Sequence, residues 1–285
     1  MPIRCVILDF DGTFTDVDAE AEPFVEAYRS DLADLLGRDV EAAWAEAHAV
    51  VAQAPHEHGW KEGGRIVAPA LADPYILCTV LGRLVLDRFG AAKDESLRSE
   101  ILQLFYRRGY PKTKHAFRPH ATEVIDALLA EFPGRVFVVT NSNPDTVRGK
   151  LNALSAGLSD RLPVEGNARK FLLASLEAGE EGAEEFASLP AERWVDTLPG
   201  RPILVKRGYY FRILRMLLTG ADVSPDECLV CGDIYELDLG LPEAMGCSVH
   251  LMTRPSTPGY ELDAAKALGA RGGVGDDLRS ILARI

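Results

Sequence analysis

At 285 residues, 47% hydrophobic and 26% charged, the chain has an ordinary globular composition and enough length for one large domain or two smaller ones. A formal net charge of -12, with no basic tail or dense basic tract, excludes a nonspecific nucleic-acid or anionic-membrane binder. Five scattered cysteines are too few for a disulfide framework, and the opening MPIRCVILDFDG carries aspartates where a signal peptide needs its apolar segment, so a cytoplasmic protein with reduced thiols is expected.

The first predicted element is a strand from Ile3 to Leu8, an apolar run of the kind buried on both sheet faces, with Gly12 supplying the turn behind it. Asp9 and Asp11 then stand at the carboxyl end of that strand. Residues two apart in an extended chain point to the same side, so both carboxylates are expected to face one crevice, where open parallel sheets bind ligands. Their mutual repulsion calls for a hard divalent cation, and magnesium (Mg2+) beside a substrate phosphate suits it.

The string DFDGT after a leading apolar strand resembles the opening motif of the haloacid dehalogenase (HAD) superfamily of aspartate-nucleophile phosphotransferases. An isolated D-x-D is common, whereas one joined to Gly-Thr behind such a strand is specific.

From Asp16 to about His115 the pattern turns helical, with expected helices at residues 24–36, 40–54, 74–89 and 95–108. Asp73 and Pro74 form the expected start of the third of these. About a hundred mostly helical residues placed here resemble the cap that many superfamily members carry, which excludes water and selects substrate. Within them an irregular stretch holding His56, His58, Trp60, Lys61 and Arg65 is the expected substrate loop, and His56 and His58 lack the further ligands of a metal site. The basic, proline-interrupted segment from Arg107 to His120, with Lys112, Lys114 and Arg118, reads as a return linker.

A helix over 121–131 and a strand over 136–139 follow, ending at Thr140 in TNS. This is similar to the second superfamily motif, which implies that the Thr140 hydroxyl and the Asn141 backbone N–H contact the transferring phosphoryl group. After a further helix, PVEGNARKF and RPILVKR read as extended pieces bracketing an acidic surface excursion. A helix, a turn at Pro225 and a strand over 228–231 then deliver Gly232 and Asp233, with Asp238 in GDIYELD. This resembles the fourth motif and implies that its acidic residues complete the metal site. Cys228 and Cys231 form a CxxC on this strand, but positions three apart face opposite ways, and no second pair completes a zinc site.

The expected fold is α/β: a three-layer Rossmann-like, mostly parallel sheet core formed by residues 1–15 and 116–285, with residues 16–115 as an inserted α-helical cap domain. The resemblance implies a magnesium-dependent phosphoric monoester hydrolase acting on a small phosphorylated metabolite, with neither nucleic acid nor membrane as partner. Asp9 would attack phosphorus to give an aspartyl phosphate, and Asp11 would protonate the leaving oxygen and then take a proton from water. The metal would be held by Asp9, Asp11 through its carbonyl, Asp233 and Asp238, with Thr13 and Asn141 binding substrate. For the required cation, Lys170, Lys206 and Arg207 compete. Lys206 is preferred because it lies one helix, one turn and one strand before Asp233. Asp11 argues against the dehalogenase branch, which lacks that residue. A phosphomutase, or a non-catalytic phosphoacceptor or binding protein on the same fold, is the alternative.

Overall fold

Strand β1 (Cys5–Leu8) is buried along its whole length, as an unbroken apolar run requires of a strand covered on both faces. In the computed structural model, which describes residues 2–285, the chain forms two units. One runs up to Asp16 and resumes over Phe117–Ile285; the other is Val17–Ala116.

The Val17–Ala116 unit contains α1 (Val17–Leu36), α2 (Glu41–Gln53), the strands β2 (Gly59–Glu62) and β3 (Arg65–Pro69), α3 (Pro74–Arg88) and α4 (Glu95–Gly109). Its core joins Phe24, Tyr28 and Leu32 of α1 to Trp44, Val51, Leu81, Val85, Leu102 and Phe105. Helix α1 begins at Val17 rather than at Phe24 and runs through Pro23. The lost backbone donor is outweighed by the aromatic and aliphatic face that the helix buries. Asp73 caps α3, accepting the N–H groups of Tyr75 and Ile76 at 2.7 and 3.0 Å. The stretch expected to be irregular is an antiparallel hairpin, β2 against β3, turned by Gly63 and Gly64 at φ of 55° and 79°. Two successive left-handed residues are what a tight hairpin turn demands. Lys61 and Arg65 are exposed on it, and Trp60 is half-buried.

The larger unit continues with α5 (Ala121–Glu131), β4 (Val136–Val139), α6 (Pro144–Leu154), α7 (Leu158–Arg161), β5 (Val164–Glu165), α8 (Ala183–Ser188), β6 (Glu192–Arg193), β7 (Ile203–Leu204) and α9 (Gly208–Ala221). It ends with β8 (Cys228–Gly232), α10 (Gly240–Met245), β9 (Ser248–Met252), α11 (Gly259–Lys266), β10 (Gly272–Gly275) and α12 (Arg279–Leu282). Six strands form one parallel sheet in the order β10-β9-β8-β1-β4-β5. Alternation along β1 supplies both of its faces: Cys5 and Ile7 pack with Phe211, Leu214 and Leu239, while Val6 and Leu8 pack with Val124, Leu128 and Val147. Layers of helix thus cover both sides of the sheet.

Strand β1 lies between β4 and β8, so the chain leaves it in both directions and a crevice opens at the carboxyl ends of these strands. RPILVKR does not join this sheet. Its strand, β7, pairs antiparallel with β6 as a separate two-stranded ribbon. Nor is the excursion before it merely a surface feature, because Phe186 and Leu198 lie in the core. No helix among the described residues is long and apolar enough to cross a membrane.

Candidate active site

Asp9 follows β1 directly, and its N–H still donates to the Cys231 carbonyl at 2.8 Å, so the backbone that carries it is an extension of the central sheet. Its carboxylate is buried; Oδ1 accepts from Lys170 Nζ at 2.8 Å and Oδ2 from the Thr13 hydroxyl at 3.3 Å. Gly12 turns the chain at φ 81°, and a Cβ there would stand 2.1 Å from Asp233 Oδ2. Both the left-handed backbone and the approach of the carboxylate require glycine. Arg118 fastens this turn, donating to the Gly12 carbonyl at 2.8 and 3.0 Å and to the carbonyls of Thr253 and Asp276 at 3.0 and 3.3 Å.

Asp11 points to a different set of partners. Ser142 Oγ donates to its Oδ2 at 2.6 Å and Lys150 Nζ to its Oδ1 at 2.6 Å. Ser142 lies beyond β4 and Lys150 on α6. At the end of β4, buried Thr140 accepts the Ser142 N–H on its Oγ1 at 3.1 Å, while its own N–H donates to Glu165 O at 3.0 Å. Asn141 Oδ1 accepts the Lys170 N–H at 2.7 Å, so this side chain fixes the loop that carries the lysine.

The cation at Asp9 is Lys170, and the placement of Lys206 is corrected. Lys206 Nζ donates to the Ala187 carbonyl at 2.8 Å and sits 5.4 Å over the Phe186 ring, because β7 belongs to the ribbon and does not end in the crevice. Lys170 follows β5, the strand next to β4. Asn167 and Arg169 stand at φ of 52° and 47°, two left-handed non-glycine residues that cost about 1 kcal/mol or more each and bend the loop inward. Lys170 Nζ, 1% exposed, reaches Asp238 Oδ1 at 2.8 Å as well as Asp9, and lies 5.2 Å over the Tyr210 ring. Arg207 is also fully buried, and it donates to the Lys170 carbonyl at 2.5 Å, holding the loop that carries the lysine.

Asp233 and Asp238 come from the loop behind β8. Asp238 Oδ2 accepts the Ile234 N–H at 3.0 Å, and Arg254 Nη2 lies 3.7 Å from Asp233 Oδ2. Asp9, Asp233 and Asp238 each place a carboxylate oxygen within 4.8 Å of the others. Burial pushes the Asp9 carboxyl up to about 8 against the pull of Lys170, and Asp238 and Asp11 add to the rise. Burial also opposes the charge on Lys170, yet Asp238 and Asp9 together hold its pKa above the ordinary lysine value. Three buried carboxylates converge here, all offering oxygen at a spacing one ion can bridge. That donor set fits a small hard divalent cation.

Sequence reasoning did not find Ser142, Lys150 or Arg254 at this site, and it read Arg118 as one of the linker charges, of which a hinge beside a phosphate site could use one. Of the three not found, only Ser142 carried a signal, standing two residues beyond Thr140 on an extended chain and so on the same side.

No protein-family model matches the chain, and no curated protein matches it. Among solved structures it resembles a predicted phosphoglycolate phosphatase from Haemophilus somnus, with 14% identity over 99% of this chain and 97% of that one and a TM-score of 0.57. It also resembles a haloacid dehalogenase-like family hydrolase from Streptococcus pneumoniae (13% identity, 99% and 97% covered, TM-score 0.50) and a candidate beta-phosphoglucomutase from Thermotoga maritima (13% identity, 99% and 98% covered, TM-score 0.51). The chain therefore has the HAD-like fold, a Rossmann-like parallel sheet with a helical unit inserted after its first strand.

Proposed function

We propose that the protein is a magnesium-dependent phosphoric monoester hydrolase that acts on a small phosphorylated metabolite through an aspartyl phosphate on Asp9. The observation that carries this reading is the pairing of two aspartates with separate partners: Asp9 lies against Lys170 in a buried three-carboxylate cluster, and Asp11, two residues on, lies against Ser142 and Lys150.

In the first step an Asp9 oxygen attacks phosphorus, the ester P–O bond breaks, and Asp11 gives its proton to the departing alcohol oxygen. In the second, water attacks the phosphorus of the acyl phosphate, Asp11 takes a proton from it, and the bond to Asp9 breaks to leave inorganic phosphate and the free carboxylate. Lys170, the Thr140 hydroxyl and the Asn141 N–H stabilise charge on the phosphoryl oxygens. Thr13, now donating to Asp9, adds a substrate-binding hydroxyl. Asp9, Asp233 and the Asp11 carbonyl would hold the metal, with Asp238 completing the acidic set. When bound, the ion neutralises the nucleophile and the phosphate and so lets two anions approach. The Val17–Ala116 unit acts as the cap that chooses the substrate, with Trp60, Lys61 and Arg65 on its hairpin.

A departing halide needs no proton, whereas an ester oxygen does, and Asp11 supplies one. Phosphate release from a panel of phosphomonoesters tests the reading: release should require Mg2+ and vanish in a folded Asp9→Asn protein. Halide release from 2-haloacids without any phosphate release would replace it with a dehalogenase.

A further inference from the structure

The chain between Lys170 and α9 is a long excursion whose basic residues turn inward. Arg201, in front of β7, makes a two-pronged contact with Glu236, Nη1 to Oε2 at 2.8 Å and Nη2 to Oε1 at 2.6 Å. Glu236 is fully buried and lies inside the loop that presents Asp233 and Asp238, in the π-helical turn Tyr235–Leu239. Oε1 of Glu236 also accepts the Tyr260 hydroxyl at 2.6 Å, and the Glu236 N–H donates to Glu261 Oε1 at 3.1 Å. Arg193 of β6 adds a second hold, donating to the Tyr235 hydroxyl at 2.7 Å and the Ala264 carbonyl at 3.0 Å, and pairing with Glu243 at 2.6 Å. At the far end of the excursion, Arg207 closes on the Lys170 carbonyl.

One segment therefore grips both carriers of the site's charges: the loop bearing Lys170 and the loop bearing Asp233 and Asp238. A planar guanidinium with both oxygens of a carboxylate fixes orientation as well as distance. Groups that orient metal-binding residues typically contribute 10–100-fold to metal affinity.

We propose that Arg201, acting through Glu236, is a positioning residue that sets the Asp233–Asp238 loop for the divalent cation. This rests on the cation reading above and goes beyond it by assigning the ribbon β6–β7 a role at the site. Tight geometry of the loop, rather than contact with the ion, is what Arg201 supplies.

The test is Mn2+ binding, followed by calorimetry and by the electron paramagnetic resonance of the bound ion, on proteins shown to be folded by circular dichroism. The double variant Arg201→Met with Glu236→Gln removes the pair without leaving a buried unpaired charge. Arg201→Lys keeps the charge and loses the fork, and serves should the double variant fail to fold. Binding is expected to weaken about tenfold or more in the double variant, less in Arg201→Lys, with a changed Mn2+ spectrum in both. Arg215→Met, which removes an exposed pair with Glu181 of the same excursion, should bind as the wild type does. Unchanged affinity and spectrum in the folded Arg201 variants overturn the proposal, as does an equal loss in Arg215→Met. Asp233→Asn separates the two readings: if it too binds Mn2+ as tightly as the wild type, the cation site itself is misassigned.

Discussion

Replacing Lys170 by Met removes the ammonium that lies 2.8 Å from both Asp9 and Asp238 and keeps most of the side-chain volume. Breaking a buried charged pair by deleting one partner costs about 3–5 kcal/mol of stability, because the remaining charges stay buried without compensation. Loss of one preorganised charge contact costs about 10²–10³ in turnover, or about 3–4 kcal/mol of barrier at 1.36 kcal/mol per tenfold. Lys206→Met, by contrast, gives up one hydrogen bond to a surface carbonyl and the contact of its ammonium with the Phe186 ring, and should change stability by about 1 kcal/mol or less, with turnover intact. Initial rates of phosphate release at saturating Mg2+, with thermal melts of each variant, make the comparison. A Lys170→Met protein with near wild-type turnover, beside a Lys206→Met protein a hundredfold slower, would refute the reasoning.

Gly12→Ala should cost about 1–2 kcal/mol from its left-handed backbone alone, and its Cβ would collide with Asp233; melts should show the first effect and loss of Mg2+-dependent activity the second. Asp11→Asn should slow alkyl phosphates far more than p-nitrophenyl phosphate, whose leaving group needs little protonation; equal losses on both would contradict a proton-donor role. His250 gives a pH dependence away from the site. Its Nε2 contacts Ser280 Oγ at 2.9 Å, and since that hydroxyl donates to Asp277 O at 2.6 Å, the imidazole is the donor. Nδ1 is buried without a partner, and burial, with Arg284 adding to it, depresses the pKa from 6.5 to about 4. A depressed pKa contributes stability that is full above about pH 6.5 and is lost as pH falls through about 4, at 1.36 kcal/mol per unit, or about 3 kcal/mol in all. Between pH 7 and pH 4, unfolding free energies from denaturant titrations of the wild type and a folded His250→Gln protein should diverge by that amount, the wild type losing more as the pH falls, and parallel curves would contradict the assignment.

Asp9, Thr140 and Asp233 were legible in the sequence because each ends an apolar run, and the ends of neighbouring parallel strands meet by the logic of the fold. Lys170 was not. Its strand, β5, is two residues long, the bends at Asn167 and Arg169 leave no compositional mark in PVEGNARKF, and a lysine is rarely buried unless paired. Lys206 misled for the opposite reason, since PILVK has the composition of a core strand and only the pairing of Leu204 with Glu192 shows that it belongs elsewhere. The grip on Asp11 joins residues 131 and 139 positions apart, separations that no local pattern encodes. In the Val17–Ala116 unit, helical periodicity located α2, α3 and α4 within a residue or so, while the hairpin at Gly63 and Gly64 was hidden by its mixture of polar and small residues.

The central claim is that Asp9 carries the phosphoryl group during turnover, and trapping that group tests it most directly. Enzyme quenched with acid during steady-state turnover and reduced with borohydride should yield, by peptide mass spectrometry, a side chain at position 9 converted from carboxyl to alcohol, with none in Asp9→Asn or in protein quenched without substrate. Wild-type rates of phosphate release from a folded Asp9→Asn protein, or reduction mapped to a different carboxylate, would contradict it.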